Sequence, residues 1–170
     1  SYAPQCEAQG FKLLGWFDMG SRNIMTVKKP IGSMDDLAGL KIRIMENDVY
    51  TASFEALGVN ATPMAWADAL TALQQGTVQG QENPINVIYS YKLWESQKYA
   101  TLDRHSYSTA IITMSADLFN GLDADTQQIF LDAAQEAAEY ERAWVAEQEA
   151  DQLQAMKDNG MEVIENPDMD

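Results

Sequence analysis

The chain has 170 residues, 46% of them hydrophobic, which is enough for one sizeable core or two small lobes. Its 26 acidic residues against 11 basic ones give a formal net charge of −15. That balance argues strongly against a nucleic-acid binder, whose affinity rests on Lys and Arg neutralising phosphates, and no window approaches the ~18–20 consecutive apolar residues of a membrane-spanning helix.

The opening segment SYAPQCEAQGFKLLGWF has no basic stretch followed by an apolar one, so it does not read as a signal peptide. It reads as the middle of a longer protein, and the polar ending NPDMD suggests the same of the other end. Cys6 is the one cysteine and cannot close an internal disulfide, and the lone His105 has no Cys or His companions to make a metal site.

FKLLGWF (11–17) is a strand candidate closed by the turn-like DMGSRN, and MTVKKPI (25–31) is a second strand with Pro30 at its end. Ser33 can cap a short helix MDDLAGL, with Asp36 at the reciprocal capping position. LKIRIM (40–45) is a strand, VYTASFEALG (49–58) a helix ended by Gly58, and VNATPM (59–64) extended. AWADALTALQQG (65–76) is a helix with Leu70 and Leu73 on one face, TVQGQ (77–81) a short strand, and PINVIYSYKLWES (84–96) a helix.

The run from Tyr99 to Ser115 holds one or two strands. From Ala124 to about Asn159 an Ala/Glu/Gln-rich helix follows, capped by Asp123 and ended by Gly160, with an apolar side through Ile129, Phe130, Ala133, Ala137, Tyr140, Trp144 and Val145. At ~1.5 Å per residue it reaches ~50 Å, so it bridges two lobes or is kinked. MEVIE (161–165) is a last strand. Alternating strands and helices predict an α/β fold with a largely parallel sheet, in which ligands bind at the C-terminal ends of strands.

Chemistry-bearing motifs are few. One Cys, one His and no GxSxG-type turn leave no nucleophile beside a base, and there is neither a P-loop nor a GxGxxG fingerprint. Arg43, by contrast, sits inside an apolar strand whose alternation puts Leu40, Ile42 and Ile44 on one side and Lys41, Arg43 and Met45 on the other. Two roles fit it: pairing with one of the chain's many carboxylates, or a bidentate clamp for a ligand carboxylate. Asn83 before Pro84 is either a helix N-cap or, at that helix start, a contact for an anion. Trp66 is either core packing or an aromatic wall against a ligand's carbon skeleton.

The segments LKIR, ALG-x-x-x-TPM, ALQ-x-G-x-V-x-GQENP and the later QKY, in that order and spacing, resemble the solute-binding subunit of tripartite ATP-independent periplasmic (TRAP) transporters, the DctP-like family. The similarity runs from about Gly15 to the long helix. The resemblance implies a periplasmic-binding-protein-like bilobal fold with the long helix spanning both lobes, the chain covering the C-terminal part. Residues 1–20 then end lobe I and cross over, 21–108 form lobe II, 109–148 return to lobe I, and 149–170 lie on lobe II.

It also implies a ligand site. The arginine of LKIR, Arg43, would bridge the substrate carboxylate; the asparagine of GQENP, Asn83, would contact the same region; Trp66 would line the pocket. Arg22 in the G-[ST]-R segment would assist, and Tyr107 would lie where the chain crosses between lobes. Gln79 stands where Asp is common in VDGQENP, and the N-terminal part of the first lobe has no counterpart here. The implied protein is a monomeric periplasmic binder, made with a signal peptide in its precursor. It captures a small organic acid by hinge closure for TRAP membrane permease subunits, with no catalysis, cofactor, metal or nucleic acid. A carboxylate-sensing bilobal module of a receptor or regulator is the alternative.

Overall fold

The computed structural model describes residues 2–169. The chain runs through α1 (Ala3–Ala8), β1 (Phe11–Thr26), β2 (Lys41–Ile44), α2 (Asp48–Ala56), β3 (Asn60–Pro63), α3 (Trp66–Gln74), β4 (Gly80–Pro84) and α4 (Ile85–Ser90). It continues with β5 (Tyr99–Ser115), α5 (Ala116–Asn120), α6 (Ala124–Asp158) and β6 (Glu162–Ile164), and single 3₁₀ turns occupy Met34–Leu37 and Leu93–Glu95. The strands lie in the order β3-β2-β4-β1-β5-β6. β2 pairs in parallel with β3 and β4, β5 pairs in parallel with β6, and β1 runs antiparallel to β4.

By its internal contacts the chain divides into two units. One holds the residues up to Gly20 together with Ser108–Gln148, and the other holds Ser21–Tyr107 and the residues from Glu149 on. The second unit contains the three apolar clusters found among the described residues. Ile24, Ile31, Leu37, Ile42, Ile44, Phe54 and Val59 pack under α2 on one face of the sheet. Met25, Ile85, Ile88, Leu93, Ala100, Leu102, Met156 and Met161 pack on the other, with Trp66 and Leu70 against them. Ala72, Leu73 and Val78 form a small third cluster at the end of α3. Among its described apolar residues the first unit buries only Cys6, Phe119, Ala134 and Ala138.

Several local expectations are corrected. DMGSRN is not a reversal: β1 is continuous for 16 residues, and the separate strand 25–31 stops at Thr26. The turn signal is physical but small. Gly20 takes a left-handed φ of +83° and its N–H donates to Asp18 Oδ1 at 2.7 Å. The strand then carries on, because Arg22 to Thr26 register against Pro84 to Gly80. The strand placed at 77–81 starts three residues later, since the Thr77 and Val78 N–H groups both donate to the Ala72 carbonyl and finish the helix instead.

The helix 84–96 is broken. Ile85, Ile88 and Leu93 all enter one cluster, and the five-residue step from 88 to 93 does not fit a single helical face. A left-handed Lys92 at φ 49° makes the adjustment. In α6 the expected apolar side is open to solvent: Ile129, Phe130, Tyr140 and Trp144 are exposed, while Ala134 and Ala138 are buried. A Cβ on Gly15 would stand 3.4 Å from the Ala134 carbonyl oxygen, so the helix approaches β1 too closely for a large side chain at that contact. Glu141 occupies the same inner side because its carboxylate accepts the Asp18 N–H at 2.9 Å.

Candidate functional site

Three parallel strands deliver side chains to one end of the second unit's sheet. β2 ends at Ile44, β3 at Pro63 and β4 at Pro84, and each leads into a helix, α2, α3 and α4. Helix N-termini therefore gather at this end, where their unpaired N–H groups favour negative charge. Strand register pairs Arg43 with Gln81, so Arg43, Gln81 and Asn83 share one face, and Glu82 occupies the opposite one.

Arg43 is 4% exposed. Its Nε and Nη2 both donate to the Met64 carbonyl, at 2.9 and 2.7 Å, and its guanidinium carbon stands 5.4 Å from the Trp66 ring centre. No carboxylate among the described residues forms an ion pair with it. Burial pushes its pKa down from the ordinary arginine value; Glu82 and Glu46 pull it up, and the Arg22 charge adds to the lowering. Trp66, the first residue of α3, is half-buried and packs edge-on against Tyr91 at 5.1 Å. The core-packing and wall readings of Trp66 coexist, since one side meets the apolar cluster and another meets Arg43.

Arg22 has a different environment. Its Nε and Nη2 fork onto the two oxygens of Glu82, with Nη2 2.8 Å from Oε1, and Nη2 also reaches the Glu82 carbonyl at 2.8 Å and Asn83 Oδ1 at 3.1 Å. Its guanidinium lies 5.7 Å from the Tyr50 ring centre. Glu82 is completely buried.

A second cation shares that carboxylate. His105 Nε2 is 3.3 Å from Glu82 Oε2 and Nδ1 is 2.7 Å from Asp103 Oδ2, with Phe54 edge-on at 5.2 Å. Burial lowers the His105 pKa, but the hydrogen bonds to Asp103 and Glu82 outweigh it and raise the ring from 6.5 to about 9.

Asn83 is not the helix cap expected of it. The N-cap position of α4 falls on Pro84, with no capping side chain. The Asn83 amide instead accepts from Arg22 and donates to Gln81 Oε1, and Gln81 in turn donates to Gln97 Oε1 at 3.2 Å. This amide chain fixes which end of Asn83 carries the donor and leaves one Nδ2 hydrogen unused. Tyr107 is 61% exposed on β5, two residues beyond His105. The structure thus brings Arg43 to Trp66 and Arg22 to Asn83, and it adds Glu82, Asp103 and His105, which sequence reading missed. Their only sequence signal was the same-face spacing of Asp103 and His105 on a strand. Among the described residues no group of His, Cys, Asp and Glu could hold a metal ion, and no helix is long and apolar enough to cross a membrane.

Comparisons with known proteins identify the family of the chain. The model of the DctP family, bacterial extracellular solute-binding protein family 7, matches residues 1–170. A solute-binding protein of Verminephrobacter eiseniae is 44% identical over 95% of this chain and 48% of its own length. The 2,3-diketo-L-gulonate-binding periplasmic protein YiaO of Escherichia coli is 37% identical over 95% of this chain and 49% of its own length. Among solved structures, a TRAP periplasmic solute-binding protein from a Polaromonas species, bound to D-erythronate, superposes with a TM-score of 0.93 at 40% identity, covering 98% of this chain and 55% of that one. The chain spans about half the length of the curated relatives it matches. With an α/β fold shared with TRAP periplasmic solute-binding proteins and a family model matching from end to end, the chain belongs to the DctP family of bacterial extracellular solute-binding proteins, family 7.

Proposed function

We propose that this chain supplies the carboxylate-clamping part of a TRAP-type solute-binding protein, which captures a small organic acid in the periplasm by hinge closure and hands it to the membrane permease. The observation that carries the reading is Arg43, a buried guanidinium oriented by a neutral carbonyl and paired with no carboxylate among the described residues. A buried charge without a counter-charge is costly. A ligand carboxylate would remove that cost and meet a planar fork already set for bidentate bonding.

In this reading Arg43 makes the principal salt bridge, Asn83 offers its unused amide hydrogen to the same carboxylate, and Trp66 covers the adjoining carbon atoms. Arg22, already forked onto Glu82, contributes positive potential and orients Asn83 rather than gripping the ligand itself. Tyr107, open on β5, would join only when the protein closes. The two units correspond to parts of two lobes, and ligand binding favours the closed arrangement because it makes more contacts there.

The relatives' ligands suggest the chemical class: D-erythronate for the Polaromonas protein and galactonate for the sugar-acid-binding protein of Advenella mimigardefordensis. Arg43→Lys is expected to weaken carboxylate binding at least tenfold, a loss of ~1.4 kcal/mol or more. Isothermal calorimetry with unchanged affinity would remove Arg43 from the clamp.

A further inference from the structure

His105 pairs with Asp103 and Glu82 rather than with Arg43, yet it is the part of the charge network that can change state. Each of its ring nitrogens faces a carboxylate oxygen, Asp103 on one side and Glu82 on the other. A neutral imidazole can donate from only one nitrogen and would turn a lone pair on the other carboxylate, so this geometry calls for the doubly protonated ring. Glu82 in turn holds Arg22, and Arg22 holds the side-chain amide oxygen of Asn83. The charged groups facing the ring are then Asp103 on its own strand, Glu82 on β4 and Arg22 on β1 beyond Glu82; the titratable Tyr50 of α2 lies beside Arg22, and its hydroxyl meets Ser106 at 3.2 Å.

Two cations, Arg22 and His105, are matched by two carboxylates, Glu82 and Asp103, which leaves Arg43 as the uncompensated charge of the cluster. We propose that His105 is a positioning residue of the carboxylate site: by holding Glu82 as a shared counter-ion it keeps the Arg22–Glu82–Asn83 chain in place and prevents the buried acids from cancelling the attraction of Arg43. When His105 loses its proton, the four groups around Arg22 carry one net negative charge beside a site meant for an anion. Glu82 and Asp103 are too buried for water to screen that charge well. A ligand carboxylate then binds less tightly, although no residue touching it has changed.

The inference rests on the carboxylate-binding reading, and two measurements separate their fates. First, D-erythronate, galactonate and glucuronate are titrated into the protein by calorimetry from pH 7 to pH 9.5. Affinity of the tightest binder should fall roughly tenfold across that range, while His105→Gln should bind roughly tenfold more weakly at pH 7 and lose the pH dependence. Absence of binding by all three acids at pH 7 counts against the carboxylate reading itself. Tight binding with a flat profile in the unmodified protein counts against His105 alone. Second, because His105 is the one histidine of these 170 residues, its ring nitrogens can be followed by NMR without a variant or a ligand. Both should be protonated at pH 7, and titration near 6.5 would overturn the proposal even if His105→Gln failed to fold.

Discussion

A carboxylate withdrawn wholly from water is tolerable only where cations reach it, and Glu82 is reached by two, Arg22 and His105. The same contacts tie folding to pH. His105 binds its proton more tightly in the folded chain than in the unfolded one, so its contribution to stability is complete below pH 6.5 and is lost as pH rises towards about 9. Thermal melts should therefore show Tm declining over that interval, and the decline should vanish in His105→Gln. A Tm that stays level between those pH values would show that the ring is not held protonated. Of the candidate site, the placing of Arg43, Asn83 and Trp66 at one end of the sheet was legible in the sequence because each stands where a strand gives way to a helix. Glu82, Asp103 and His105 were not. Their meeting depends on β1 lying between β4 and β5, a neighbour relation that no local pattern encodes.

Elements were legible to the extent that their signals were local. The alternation of strand and helix from Lys41 to Pro84 was readable because glycines end its first two helices, Gly58 at a left-handed φ of +77° and Gly76 at +71°. DMGSRN misled because its Asp–Gly turn chemistry is outweighed by ladder pairing to a strand some sixty residues away. The outer face of α6 misled because apolar periodicity assumes that the buried side is the larger one, and here Ala134 meets Gly15. Gly80 shows how tightly the central strand is held. A Cβ there would lie 2.3 Å from the Met25 carbonyl oxygen and 2.9 Å from Ile42 Cδ1. Gly80→Ala should thus destabilise the fold by about 3 kcal/mol or more, as expected of overpacking against backbone that cannot yield. Urea unfolding with an unshifted midpoint would mean that β1 and β4 can part at no cost.

At the scale of the whole molecule, apolar burial is unevenly divided. All three clusters found among the described residues belong to the second unit. The first unit instead leaves Phe11, Trp16, Ile111, Ile129, Phe130, Tyr140 and Trp144 exposed. Since burial of such side chains is the main favourable term in folding, the two units of this chain should differ in local stability. Hydrogen exchange on the 170-residue chain is expected to show faster opening for amides of β5 between Thr109 and Ser115, and of α6 before Gln148, than for those of β2 and β4. Equal protection would mean that the chain unfolds as one cooperative body despite the imbalance.

The carbonyl that steadies Arg43 has a kinetic meaning as well. Met64 holds the guanidinium in orientation without neutralising it, so under the proposed role an arriving carboxylate would break no internal ion pair. Encounter and docking would then proceed at similar speed for the small acids that fit. Discrimination between acids falls to how long each one stays, and residence time rather than rate of capture is where selectivity among them should be sought.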